Sequence, residues 1–196
     1  MKTFRRSFTT QGYSLIELLI VIGIIAILSG LAVPGIIAAM RKAKHVKTHT
    51  VLTGLVTGLN HYRAEYNRFP LPPGQTGGQP IPLSEGSPVL KILLGENDQR
   101  LNPREMRYIE APVGTGGANG LTGTAGSYAL MDPWGSPYEV MMDASGAEKL
   151  PNPDAKNSDP AIASGAAPWL FVTAAARSLG EDKKADTKDD VVSWRP

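Results

Sequence analysis

The sequence predicts an α+β chain in which one long amino-terminal helix packs on a small antiparallel β-sheet within a loop-rich domain. Three observations predict it. An uncharged apolar run extends from Leu18 to Met40. Beyond it the apolar residues thin to one side of a helix. Further on, two short apolar segments flank a turn rich in proline and glycine at 132–137. Of the 196 residues, about 150 would remain after a leader and a membrane segment, enough for one modest domain.

At about 1.5 Å per residue the apolar run would reach roughly 35 Å as a helix, and a hydrocarbon core is about 30 Å thick. One membrane pass is therefore expected. Ahead of it stand Lys2, Arg5 and Arg6 with no acidic residue, closed by Gly12. Glu17 places one carboxylate inside the start of the apolar segment, where a charge costs about 2.5 to 3.5 kcal/mol. Such a cost points to a function. An ordinary secretory signal is the competing reading, and Gly30-Leu31-Ala32 could serve as its cleavage site. Its apolar stretch usually runs about 7 to 15 residues, however, and a carboxylate is out of place there. Pro34 cannot donate to the carbonyl of Gly30 and costs about 3 kcal/mol in a helix interior. A kink or local unwinding is expected between about Ala26 and Pro34, with a static kink tolerated in the bilayer as the alternative.

After Met40, Leu52, Leu55, Val56, Leu59, Tyr62 and Tyr66 recur at helical spacing while Thr53, Thr57, Asn60 and Arg63 are expected to face away. One continuous helix from Tyr13 to about Asn67 follows, stopped by Phe69-Pro70. The implied organisation is a leader over 1–12, a membrane and assembly helix over 13–40, and a soluble domain over 41–196. That domain divides into an amphipathic helix at 41–67 and loops with a small sheet at 68–196. Within it, Pro88 to Gly95 suggests a short helix on the core, and Asn102-Pro103-Arg104 starts a turn or helix. Gly114 to Gly126 is expected to be a flexible surface loop; it lacks the P-loop pattern, so a phosphate cradle is remote. Tyr128–Met131 and Tyr138–Met142 are expected to pair as a hairpin across Asp132-Pro133-Trp134-Gly135-Ser136-Pro137. Asp132 reads as a turn former, Trp134 is expected to pack on the domain, and Leu170–Thr173 reads as a third strand.

Composition excludes several function classes. The net charge is +2 with three positive groups in the first twelve residues, so the remaining side chains stand at −1. No nucleic-acid partner is indicated. The chain has no cysteine, which rules out disulfides and thiolate chemistry. His45 and His49 stand four apart on a helix, the spacing of a metal pair, but no carboxylate follows His45 as a zincin needs; solvated helix surface is the better reading. No nucleophile–base or paired-carboxylate set has supporting spacing, so an enzyme is not expected. The last motif is acidic. Ser178-Leu179-Gly180-Glu181-Asp182 and Thr187-Lys188-Asp189-Asp190 concentrate oxygen ligands of the kind hard cations take. The loop is not an EF-hand, since Lys184 and Thr187 occupy positions that need an oxygen ligand and a glycine.

The leader, Gly12, an aromatic at Tyr13, Leu15-Ile16-Glu17 and the long apolar helix resemble the amino-terminal signal of type IV pilins and of the pseudopilins of type II secretion. The resemblance implies a pilin-like fold, cleavage between Gly12 and Tyr13 by a prepilin peptidase, and methylation of the new amino terminus. A neighbour's Tyr13 amine, of pKa about 7.7 to 8.0 when free, could then pair with Glu17 as copies assemble. In that family the segment before the proline matching Pro34 loses helix on assembly. Tyr62, Tyr66, Arg68, Phe69 and Pro70, together with Asp132-Pro133-Trp134-Gly135-x-Pro137-Tyr138, are similar to the major pseudopilins. So is the terminal loop, which implies calcium held by the side chains of Asp182, Asp189 and Asp190 and the carbonyls of Leu179 and Thr187. Lys183 and Lys184 stand where that family commonly has glycine.

The family implies a structural subunit, with its leader cytoplasmic and its carboxyl-terminal domain periplasmic, anchored in the inner membrane by a single pass. Its partners would be membrane lipid, the peptidase, further copies of itself in a helical filament, minor pseudopilins and the inner-membrane secretion platform. A surface type IV pilin is the alternative, against which stand the two motifs and the absence of a carboxyl-terminal cysteine pair.

Overall fold

The computed structural model describes residues 12–75, 77–124 and 126–195. The predicted leader, apart from Gly12, lies outside them. The chain divides after Ala43 into two units, and the division falls inside one helix, α1 (Leu15–Tyr66).

In the first unit α1 is uncharged on every side from Leu18 to Met40, and Leu15, Ile16, Leu19, Ile22, Ile25, Leu28 and Ile37 are all exposed. It is long and apolar enough to cross a membrane, and none of its most apolar window is buried within the chain. Transfer of apolar surface from water is favourable by about 25 cal/mol per Å², so these side chains require lipid or other copies around them. The expected unwinding is absent. The helix continues through Pro34, because one missing donor removes a single bond while Leu, Ile and Ala on both sides favour the helix.

In the second unit α1 turns one face inward. Thr48, Leu52, Leu55, Leu59 and Tyr62 are buried, while Thr53, Thr57 and Asn60 are exposed. Arg63 departs from the expected outward face, being half-buried with its guanidinium 5.5 Å over the ring of Phe69. The stop comes earlier than Phe69-Pro70. Asn67 has φ 53°, the left-handed conformation that asparagine tolerates and that ends helices.

The main sheet has the order β1–β4–β7–β8, antiparallel throughout: β1 (Ile81–Pro82), β4 (Glu139–Met142), β7 (Ala174–Ser178) and β8 (Val191–Val192). Val140 opposes Ala176 and Met142 opposes Ala174, and all four join Leu52, Leu55 and Leu59 of α1 in the principal core. On the other face Met141 and Ala175 gather with Leu150, covered by Leu170 and Trp194. Alanine is a weak strand former, but its short side chain lets a neighbouring element approach a strand buried along its whole length. Helix α2 (Pro88–Leu93) buries Val89, Leu90, Ile92 and Leu93, and Ser87 caps it by accepting from the Leu90 amide.

Three strand expectations need correction. The glycine-rich 114–126 segment contains β2 (Gly120–Thr124), paired with β3 (Ser127–Met131). Here glycine permits a strand: a Cβ at Gly120 would lie 2.3 Å from the Pro112 carbonyl. The Tyr128–Met131 and Tyr138–Met142 segments do not form a hairpin with each other. They stay bonded only beside the turn, through Met131 opposite Pro137 and the Tyr138 amide to the Leu130 carbonyl at 3.0 Å. Leu83 then bonds to both, donating to Tyr138 and accepting from Leu130, and the two strands leave for different sheets. The third strand is β7, which begins at Ala174 directly after the predicted Leu170–Thr173; of that segment only Leu170 is in a strand, within β6 (Trp169–Leu170), which pairs with β5 (Leu150–Pro151).

Candidate functional site

The amino-terminal motif begins with Gly12 and Tyr13 in exposed, non-helical chain immediately before α1. A Cβ at Gly12 would meet nothing, so no packing encloses the predicted scissile bond on that side. Ser14 precedes the first helical residue, and the Glu17 carboxylate accepts a hydrogen bond from the Ser14 amide at 2.9 Å. Ser-x-x-Glu with this reach-back is the carboxylate half of a capping box, and a negative charge is favoured at a helix amino terminus. The sequence signal for this was present in Ser14 and Glu17. Their bond gives Glu17 a neutral partner within its own chain, beside the charged one expected from a neighbour. One neutral amide leaves the carboxylate's charge uncompensated, however. Pro34 sits in unbroken helix with exposed surroundings.

The carboxyl-terminal loop spans the gap between β7 and β8. Asp189 Oδ2 accepts from the Asp182 amide at 2.9 Å and its Oδ1 accepts from Thr187 Oγ1 at 2.7 Å. Burial pushes the Asp189 carboxyl up, but these donors outweigh it and hold the group below its ordinary value. Asp190 Oδ2 accepts from the amides of Asp186 at 2.8 Å and Thr187 at 3.3 Å. Its Oδ1 is buried without a hydrogen-bond partner, and burial pushes this carboxyl up to about 6. Gly180 is required here: a Cβ would lie 2.3 Å from the Asp189 carbonyl and 2.6 Å from its Oδ2.

Two adjacent carboxylates, one with an unsatisfied buried oxygen, fit a hard cation. The remaining predicted ligands are not gathered around them. The Asp182 side chain is exposed and accepts from the Lys184 amide at 2.8 Å. The Thr187 carbonyl accepts from Asn157 Nδ2 at 3.0 Å, and Leu179 is half-buried at the loop's entry. Among the described residues no three His, Asp or Glu side chains are close enough together to hold a metal. The His45 ring meets Trp134 edge-on at 5.2 Å.

Sequence reasoning missed what holds the loop. Arg177 of β7 donates to Glu139 and to Asp186, each at 2.7 Å. Burial works against the guanidinium's charge, yet the two carboxylates hold its pKa above the ordinary value. The Ser158 amide donates to the Asp186 carbonyl at 2.7 Å, and Asp154 accepts from the Trp194 indole N–H at 2.9 Å and forms an ion pair with Arg195 at 3.1 Å. Asp132 is a turn former, as expected, and more: it accepts from the amides of Trp134 and Ser136 and, at 2.6 Å, from Ser178 Oγ at the loop's start.

A family profile described as "Prokaryotic N-terminal methylation motif" matches residues 8–33. The chain is 24% identical over 187 residues to the "Type II secretion system core protein G" of Aeromonas hydrophila, covering 94% of this chain and 92% of that protein. No solved structure matches significantly. With a methylation motif at the head of a long apolar helix, an α+β domain behind it, and similarity to a type II secretion core protein along nearly the whole length, the chain is similar to the type IV pilin and pseudopilin superfamily.

Proposed function

We infer that the chain is a major-pseudopilin-like structural subunit of a type II secretion pseudopilus. The observation that carries this reading is the methylation motif at the head of an unburied apolar helix, in a chain similar to a type II secretion system core protein over 94% of its length. Similarity of this kind supports a structural role, with no enzymatic one implied. The apolar helix fits a membrane-anchored protein. On this reading the leader faces the cytoplasm and the carboxyl-terminal domain the periplasm. A prepilin peptidase cuts between Gly12 and Tyr13, and copies leave the inner membrane to join a filament that pushes proteins outward. Minor pseudopilins and the inner-membrane secretion platform are its further partners.

Calcium is part of the same proposal. The carboxylates of Asp189 and Asp190 would hold it; Asp182 and the carbonyls of Leu179 and Thr187, which are not gathered around them, would have to move in to complete the set. What bound calcium supplies is charge compensation for the buried Asp190 oxygen. Arg177, Asp186, Asn157 and Ser158 keep the loop against the sheet, so the two carboxylates stay adjacent.

The processing step has a direct test. The intact mass and amino-terminal peptide of the membrane-extracted protein should begin at a methylated Tyr13. A mature terminus at Val33 would instead identify an ordinary secretory signal and end the pseudopilin reading.

A further inference from the structure

The second unit carries a groove and an exposed apolar strap that nothing in the proposed assembly yet uses. The groove encloses about 520 Å³ between α1 and the 108–112 and 119–120 segments, floored by Val51, Leu55, Ile109 and Leu130. Gly54 lines it. A glycine in a helix interior costs about 1 kcal/mol relative to alanine, and a Cβ at Gly54 would meet nothing within 4 Å. Packing inside this chain therefore gives no reason for the glycine. Gly58, one turn on, differs: its Cβ would strike Ile109 at 2.6 Å and the Tyr108 carbonyl at 2.8 Å.

The strap is 169–172. Phe171 is 83% exposed and Trp169 43%, and Val172 is exposed beside them. No charged residue occurs from Pro160 to Ala176, and the strap is anchored by Thr173 Oγ1 donating to Asn60 of α1 at 3.0 Å. At about 100° per residue, Val51, Gly54 and Gly58 lie to one side of the buried Leu52–Leu55–Leu59 stripe and Val56, Asn60 and Arg63 to the other. Groove and strap thus belong to opposite flanks of α1, and a molecule cannot fill its own groove with its own strap.

We propose that Phe171 and its strap dock into the groove beside Gly54 of a second copy of this chain. The uncharged aromatic strap matches a mostly apolar groove with room for a large side chain. The contact is heterologous, joining unlike surfaces of identical subunits, and such contacts repeat into open helical arrays when the rotation does not close. This inference rests on the polymer reading above and specifies which surfaces meet.

The absence of cysteine permits a clean test in the full-length protein. Val172→Cys chains, which keep Phe171, and Thr57→Cys chains are co-expressed in the membrane and treated with a short bis-maleimide. A dimer joining the two different chains is expected, with none from either chain alone. Gly54→Leu fills the groove, should leave the melting temperature no lower, and should abolish both the adduct and polymer growth. Polymers that grow from Gly54→Leu, or that form without the adduct, overturn the docking while leaving the polymer reading intact. Failure of the unsubstituted chain to polymerise under conditions that assemble a pseudopilus overturns both.

Discussion

Single carboxylates do different work according to what donates to them. Asp132 is wholly buried and spends both oxygens on three donors from its turn and from β7, so it fixes the turn. Asp143 closes a second turn: Oδ1 accepts from the Ser145 amide and hydroxyl, and Oδ2 from the Glu148 amide at 2.6 Å. Burial raises its pKa, but the donors prevail and hold it below the ordinary carboxylate range. The folded state therefore binds this proton less readily than the unfolded chain. The stabilisation is complete above the unfolded value of about 3.9 and is lost as pH falls through the folded value. In urea melts of the detergent-solubilised protein, wild type should exceed Asp143→Asn at pH 7, and the gap should narrow below about pH 3.9. A gap that is constant with pH would remove the ionised carboxylate as its cause.

At the scale of elements, what was legible in the sequence was what neighbouring residues decide. The spacing of Leu52, Leu55, Leu59 and Tyr62 placed the buried face of α1, and Pro88 with its apolar followers placed α2. Strand partners were not legible, because pairing is decided by distant chain: Leu83 enters between β3 and β4 from more than forty residues upstream. The alanines of β7 carry little strand signal on their own, and the glycines of β2 read as loop until the carbonyls they approach are known. At the candidate site the acidic run was visible, but Arg177, Asn157 and Asp154, which tie the loop down, lie up to forty residues away. That tie makes a prediction for the loop. Because Asp189 and Asp190 are already adjacent, added calcium should raise the melting temperature, and Asp189→Ala should abolish the shift. An unchanged melting temperature in the unsubstituted protein would discard calcium.

For the molecule as a whole, an acid is carried at the head of an apolar segment that no described residue covers. Within one copy Glu17 has the Ser14 amide and the positive end of α1, which satisfy one oxygen but leave a net charge. Insertion with that charge costs about 2.5 to 3.5 kcal/mol. Cleavage after Gly12 would create an amine at Tyr13 that is still largely protonated near neutral pH, its ordinary pKa being about 7.7 to 8.0. Between copies in lipid such an amine and carboxylate attract strongly, since the low dielectric that penalises each alone strengthens the pair. If copies assemble as proposed, the acid would make the lone subunit less stable in the bilayer than the polymer. Glu17→Leu should therefore separate the two states: membrane retention after alkaline carbonate stays complete or improves, while filaments counted by electron microscopy and secretion both fall sharply. Glu17→Asp, shorter by one methylene, should retain part of the assembly. Filaments at wild-type abundance from Glu17→Leu would show that the carboxylate serves only to cap α1.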